Sequence, residues 1–497
     1  MSRTSVAAAR SVTPDRGPLG DRLLQLTAPV PLLIGALVAA MLAGAATALG
    51  SVWVGAVLAL LVAPWFVVLA IARPAWVLTA VLTLAPFDPL FFGELQKLGA
   101  AHDLVSMMRF WKEFAILALG VAAIVRGTRA LDGLDLLALA LVAIIAAYLL
   151  LPLGPPADVR LVAARQDGFL VLIFVIVRHL PLGPPERRLL ALALLLEGAV
   201  TTATGLWNVF DAAGWGNFLA SAGVLDYQGQ QAGGSASVEL VYSLVGGRYL
   251  LHASGFFFSS LSFGFFMLVP FGIAASRVGL APGRALRALS LLIAAAGTML
   301  SLTRTAIFAM FAMAVTAVML ANRRIVALTA GAFLALVLVP LAAAIGLGDR
   351  LGTTLSPSDV SSTIHLDRLG QDATALLVSP LGHGLGTAAS TGERFAVAGA
   401  VIQESWYFQI GFEMGLVAFI LVVLFVVTCL LRLARGALAG DGWSQAGLLG
   451  LGATATCAIF LHTFDAIGVA WPVWSVVAIG CSFVPSARGQ APDSAAR

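Results

Sequence analysis

Runs of about 20 apolar residues, each ended by a charged or Gly/Pro-rich stretch, recur from Thr27 to Pro485. A hydrocarbon layer about 30 Å thick takes roughly 20 apolar residues per spanning helix, so the pattern predicts an all-α, polytopic transmembrane helical bundle. Cutting the hydropathy at its polar breaks gives about fourteen spans (12–14). They lie near 28–49, 52–72, 75–92, 109–125, 133–152, 166–180, 188–207, 255–276, 286–302, 305–321, 325–346, 406–431, 444–464 and 467–484. Two connections, 208–254 and 347–405, are far longer than a helix-to-helix link needs. Both hold aromatics, Gly and Ser without becoming low-complexity tracts, which predicts ordered caps over the bundle. The chain thus divides into a tail (1–27), one integral membrane domain (28–485) and a second tail (486–497). It has no internal repeat and no heptad pattern.

Composition sharpens this picture. The chain is 60% apolar and 11% charged, against about a quarter charged in an ordinary soluble domain. The net charge of +4 is carried almost wholly by arginine, and no basic stripe suited to nucleic acid is present. Cys429, Cys457 and Cys481 all fall in apolar runs, as small buried side chains do. Arg3, Arg10, Arg16 and Arg22 precede a first run as long as a spanning helix with no small-residue cleavage site, so it is expected to be a retained helix. A cytoplasmic N-terminus puts 19 of the 29 basic residues on inner segments, as the positive-inside rule asks, and leaves both termini cytoplasmic. The other ten, Lys97, Arg109, Lys112, Arg160, Arg165, Arg248, Arg304, Arg350, Arg368 and Arg394, fall on the outer side. Asp158, Asp167, Asp372, Glu404 and other acidic residues share that face. Either these are loop charges that are solvated or pair with one another, or some of the arginines form an outward-facing site for an anionic ligand.

Three motifs lie at this outer edge. Ser301-Leu302-Thr303-Arg304-Thr305-Ala306 sits where one apolar run ends and the next begins. A guanidinium there can grip a phosphate with two parallel hydrogen bonds, or simply snorkel to the interface. Arg165, at the start of the sixth span, is a second candidate, with Gln166 and Asp167 as alternative structural partners. The second motif runs from Arg248 through His252 and Gly255-Phe256-Phe257-Phe258 to Ser260, glycine beside an aromatic belt. The third is Pro380-Leu-Gly-His383-Gly-Leu-Gly386, followed by Gln403-Glu404-Ser405-Trp406-Tyr407-Phe-Gln409 and Glu413-Met-Gly415-Leu416. No strand precedes the glycines, which argues against a nucleotide loop. Glu404, at the mouth of an apolar helix, is placed either as a general base or as a helix cap.

The order of these motifs over roughly 245–430 resembles the O-antigen ligase and Wzy-type polysaccharide polymerase superfamily. The resemblance implies a multi-pass glycosyltransferase of the bacterial cytoplasmic (inner) membrane, acting on its outer face on glycans linked to undecaprenyl diphosphate. It implies no cofactor, no nucleotide sugar and, for the ligases, no obligatory metal, with membrane lipids and other polysaccharide-assembly proteins as partners. By position, Thr303-Arg304 matches the family's Ser-Arg pair, which makes Arg304 the expected diphosphate contact, with Arg165, Arg248 and Arg368 successively weaker candidates. Glu404-Ser405 falls where the ligases typically have His-Asn, a departure that favours a polymerase. Glu404 is the expected base, and His383, Ser405 and Tyr407 are the acceptor-side candidates.

A secondary transporter or lipid-linked glycan flippase is the rival class. It would place ionisable or helix-breaking residues near the bilayer midplane. Glu197, about ten residues into the seventh span, with Thr201, Thr202 and Thr204, is the best such group.

Overall fold

The computed structural model describes residues 64–100, 105, 108–127, 129–227, 242–245, 248–279, 283–320, 360–388, 391, 392, 395, 397, 403 and 405–483, and the structural statements below are made of these. The expected spans 28–49 and 325–346, both tails and Glu404 lie outside the described residues.

Helices dominate: α1 (Pro74–Leu84), α2 (Asp88–Lys97), α3 (Trp111–Arg126), α4 (Gly133–Leu150), α5 (Ala157–His179), α6 (Pro184–Phe210), α7 (Ala212–Ser221), α8 (Ser260–Ala275), α9 (Gly283–Leu300), α10 (Arg304–Leu320), α11 (Val360–Val378), α12 (Trp406–Leu438), α13 (Gly442–Cys457) and α14 (Ile467–Cys481). Local chemistry sets many of their starts. Pro184 and Pro185 open α6 where an N–H would be unpaired anyway. Asp132 and Asp135 form a reciprocal capping box on α4, and Asp441 accepts from the Ser444 N–H at 2.6 Å ahead of α13.

Five helical stretches are long and apolar enough to cross a membrane: 74–97, 133–150, 184–210, 283–300 and 406–438. Three shorter apolar helices, α8, α10 and α14, pack among them. Ile124, Leu150 and Phe210 are more than 80% exposed, so the perimeter is an apolar surface suited to lipid. The interior is held by close fit, since lipid is as apolar as leucine and gives little hydrophobic drive between helices. Phe425 of α12 stacks on Trp474 of α14 with centroids 5.0 Å apart, and Phe174 of α5 meets Phe425 edge-on at 5.0 Å. Glycines let backbones touch: a Cβ on Gly480 of α14 would lie 2.8 Å from the Trp443 carbonyl of α13.

Several boundaries differ from the hydropathy reading. The sixth span begins nine residues early, at Ala157, because α5 runs on through its polar first turns, which hydropathy reads as a break. The 208–254 connection holds α7 and a two-stranded antiparallel hairpin, Tyr242–Val245 with Arg248–Leu251, so the protein is not purely helical. The 347–405 connection holds α11, which packs on α12.

Charge gathers at the helix ends. At one end Asp132 accepts from Arg129, Arg178 and Arg432, while Arg178 also pairs with the buried Asp135, tying α4, α5 and α12 together. Against its desolvation, the hydrogen bonds from Arg178 and Arg432 hold the Asp132 carboxyl well below the usual carboxylate range. This is the end that the basic-residue distribution assigns to the cytoplasm. The sequence motifs lie at the opposite end.

Candidate functional site

The Ser301–Thr305 motif is a tight reversal between α9 and α10. The Ser301 hydroxyl donates to the Thr298 carbonyl at 2.7 Å and accepts from the Thr303 N–H at 3.1 Å. Leu302 is forced to φ 50°, an unusual conformation for a bulky side chain. Arg304 then starts α10, half-buried. The Gly255–Ser260 motif belongs to the same unit, because the Thr303 hydroxyl donates to the Ser260 carbonyl at 3.1 Å and the Ala253 N–H to the Leu300 carbonyl at 3.0 Å. Phe258 there has φ 56°. Two motifs far apart in sequence therefore share one strained junction.

The start of α12 joins them through a segment that sequence reading did not single out, the connection from α13 to α14. Ser405 is buried and its hydroxyl donates to the Ala458 carbonyl at 3.2 Å, which also accepts the Trp406 N–H at 3.0 Å. The Tyr407 hydroxyl donates to the Ala455 carbonyl at 3.1 Å. On the other side, the Cys457 thiol reaches the Thr305 carbonyl at 3.7 Å. One helix end thus bridges the Arg304 turn and the Ser405–Tyr407 segment. Beyond it, His462 Nδ1 lies 3.0 Å from Gln409 Oε1. The signal for this hub was present as His462 and Asp465, polar residues interrupting an apolar run.

Further carboxylates stand at this end, two of them buried and one half-buried. Asp167 of α5, Glu413 of α12 and Asp465 face one another closely enough for their charges to interact. Asp167 lines a slit between α4, α5 and α12 together with Trp406, Ile410 and Met414; at about 10 Å³ it has the room of one water. Among the described residues, no group of three or more His, Cys, Asp and Glu side chains is arranged to hold a metal ion.

The glycine-rich motif is a backbone dock. Helix α12 breaks at Gly415, φ 81°, and the loop after α11 fills the break: His383 N–H donates to the Phe412 carbonyl at 2.8 Å, Gly384 N–H to the Glu413 carbonyl at 2.9 Å, and Leu416 N–H to the Pro380 carbonyl at 2.9 Å. A Cβ on Gly382 would lie 2.6 Å from the Glu413 carbonyl, so only glycine fits. The Glu413 carboxylate accepts the Ala388 N–H at 3.1 Å and secures the far side of the loop. The His383 ring is exposed and lies 4.2 Å from the Phe412 ring.

The other arginines separate. Arg165 forms an ion pair with Glu113 of α3 at 3.2 Å, and its guanidinium sits 5.3 Å from the Phe110 ring centre. Neither sequence neighbour supplies that partner; Gln166 instead accepts from the Thr391 hydroxyl at 3.3 Å. Arg368 is half-buried on α11, one turn before Asp372, whose carboxyl burial pushes up to about 6 while Arg368 pulls it the other way. Arg248 is in the hairpin, its side chain outside the described residues. Hydrogen bonds therefore bring the Arg304 turn, Ser405 and Tyr407 around one hub, and leave Arg165, Arg368 and His383 in other contacts. Compared with known proteins, the chain matches no family model and no curated protein sequence.

Proposed function

We propose that this protein is an envelope-polysaccharide glycosyltransferase that takes glycan from an undecaprenyl-diphosphate-linked donor at the outer face of the bacterial cytoplasmic membrane. The observation that carries the reading is the meeting of the Ser301–Thr305, Gly255–Ser260 and Ser405–Gln409 motifs around Cys457–His462, at the end opposite the Asp132 arginine network. In this reading the chain has about fourteen spans and both termini in the cytoplasm.

The reaction is displacement at the anomeric carbon. The bond from that carbon to the diphosphate oxygen breaks as the acceptor hydroxyl attacks, and negative charge grows on the diphosphate. A fixed guanidinium aimed at that charge lowers the barrier more than it tightens donor binding. Arg304 has that role. A carboxylate takes the proton from the acceptor hydroxyl; Glu404, between the buried Gln403 and Ser405, is its assigned source. Glu404-Ser405 in place of His-Asn favours a Wzy-like polymerase, whose acceptor is another lipid-linked repeat, over a ligase that delivers to a different anchor.

A carrier is the second reading, favoured by Glu197, which is buried in α6 with neither carboxylate oxygen hydrogen-bonded. Purified protein given a radiolabelled lipid-linked oligosaccharide separates the two. Longer chains or transferred glycan are expected, and movement across vesicles without new glycosidic bonds would replace the enzyme with a carrier. Deletion distinguishes the two enzymes: single repeats retained without long chains is the polymerase outcome, long chains stranded on the carrier lipid the ligase outcome.

A further inference from the structure

Glu197 lies in the middle of α6, only 4% exposed, with neither carboxylate oxygen hydrogen-bonded. Residues four and eleven positions later return to nearly the same face of a helix, and those residues are Thr201 and Asn208, both about 1% exposed. On this stripe both Glu197 oxygens, the Thr201 hydroxyl and the Asn208 amide nitrogen have no hydrogen-bond partner among the described residues. Buried polar atoms are nearly always paired, and a membrane interior has no bulk water to pair them, so consecutive orphan atoms on one helix face call for an explanation.

Among the described residues, the elements packed on α6 bring Glu197 no counter-charge. Helices α1, α8, α9 and α7, the 255–257 turn and Asp211 pack against or flank α6. Helices α1, α7 and α8 carry no charged residue, and α9 carries only Arg284 and Arg287 in its first turns. On α6 itself the other charges are Glu186, Arg187 and Arg188, at the far end from Asn208. The face is fitted closely to α8: a Cβ on Gly198 would lie 3.0 Å from the Pro270 ring, and one on Gly205 2.9 Å from Phe263. Pro270 also lacks an N–H, so α8 leaves a carbonyl without its usual helical donor one turn earlier. At the other end of the stripe, the Asn208 side-chain carbonyl accepts the Ser254 N–H at 3.1 Å, beside the strained junction.

We propose that Glu197 is a proton-binding site in the core of the bundle and that Thr201 and Asn208 mark the polar face along which water carries a proton to it from the end bearing the sequence motifs. The ligand is a proton delivered by water. A hydronium O–H bond breaks, an O–H bond forms on the Glu197 carboxylate, and water is released, so charge balances with no other reactant. An unpaired carboxylate in an apolar medium is costly, whereas a carboxyl can donate its hydrogen to a neighbouring carbonyl. The stripe spans about 16 Å, eleven residues at 1.5 Å each. The inference is independent of glycan transfer.

Infrared spectroscopy of the purified full-length protein in lipid vesicles tests it. The wild type is expected to show a neutral-carboxyl carbonyl band that shifts on transfer to heavy water. That component should be lost in Glu197→Gln and moved but retained in Glu197→Asp, which keeps the assignment testable if either variant folds poorly. Thr201→Val with Asn208→Leu should keep the band and slow its exchange severalfold. A Glu197→Gln spectrum identical to wild type overturns the proton site. Unchanged exchange in the Thr201/Asn208 variant overturns the path.

Discussion

Arg304 and Arg165 carry the same guanidinium at the same end of the bundle, and the proposed function gives them different work. Arg165 has Glu113 at 3.2 Å with both side chains largely buried, so Arg165→Ala strands a buried carboxylate and should cost about 3–5 kcal/mol. Arg165→Met with Glu113→Leu should recover most of that in a thermal melt; failure to recover would mean Arg165 serves something besides Glu113. Arg304→Lys keeps the charge and loses the two-pronged grip, so chain growth should fall about 10–100-fold with expression unchanged. Wild-type turnover in Arg304→Ala would remove it from the site. Glu404→Gln should lower turnover by about 10²–10⁴-fold while donor binding survives, and a stable, fully active variant would sink its role as base. The turn before Arg304 was legible because it is local: Ser301 and Thr303 announce it within four residues. Arg165 was not, because Glu113 lies 52 positions away and no local pattern pairs them.

At the level of elements, hydropathy finds the apolar core of a helix and misses what is polar but covered. It located α4, α6 and α9 closely, since each is one apolar run bounded by charged or Gly/Pro-rich stretches. It started the sixth span late, because Asp158, Arg160 and Arg165 look like a loop, whereas α5 already runs from Ala157 and Arg165 is paired with Glu113 of α3. It also read α12 as unbroken, although Glu413-Met-Gly415 inside an apolar run marked the place where a second segment docks. The glycine motif, already disfavoured as a nucleotide loop because no strand precedes it, docks on the protein's own backbone. Gly415→Ala puts a Cβ against the Pro380 carbonyl at a positive φ, and should cost about 2–3 kcal/mol. Protease cutting near His383 should rise in parallel. Unchanged melting and cutting would mean that the loop is held by other contacts.

Across the whole molecule, two carboxyls at opposite ends give stability opposite dependences on pH. Asp132 is held below its ordinary range by the guanidiniums of Arg178 and Arg432 once its desolvation is overcome, so the unfolded chain takes up its proton first as pH falls. Its contribution is complete above the unfolded value of about 4 and is lost as pH drops below that. Asp372 is raised to about 6 by burial, so between about 4 and 6 the folded protein holds a proton that the unfolded chain has released. Its contribution therefore falls as pH rises through that window. Together they predict a melting temperature that declines modestly from pH 4 to 6 and steeply below pH 4. The two limbs can be assigned separately, because the groups lie on different helices at different ends: Asp372→Asn should flatten the upper limb alone, and Asp132→Asn the acid limb alone, at a lower overall melting temperature because three arginines lose their shared carboxylate. Melting curves for the three proteins from pH 3 to 7 decide it. If Asp132→Asn keeps the full acid limb, the arginine network is not what couples the helix ends to pH, and the acid sensitivity must originate at the carboxylates of the opposite end.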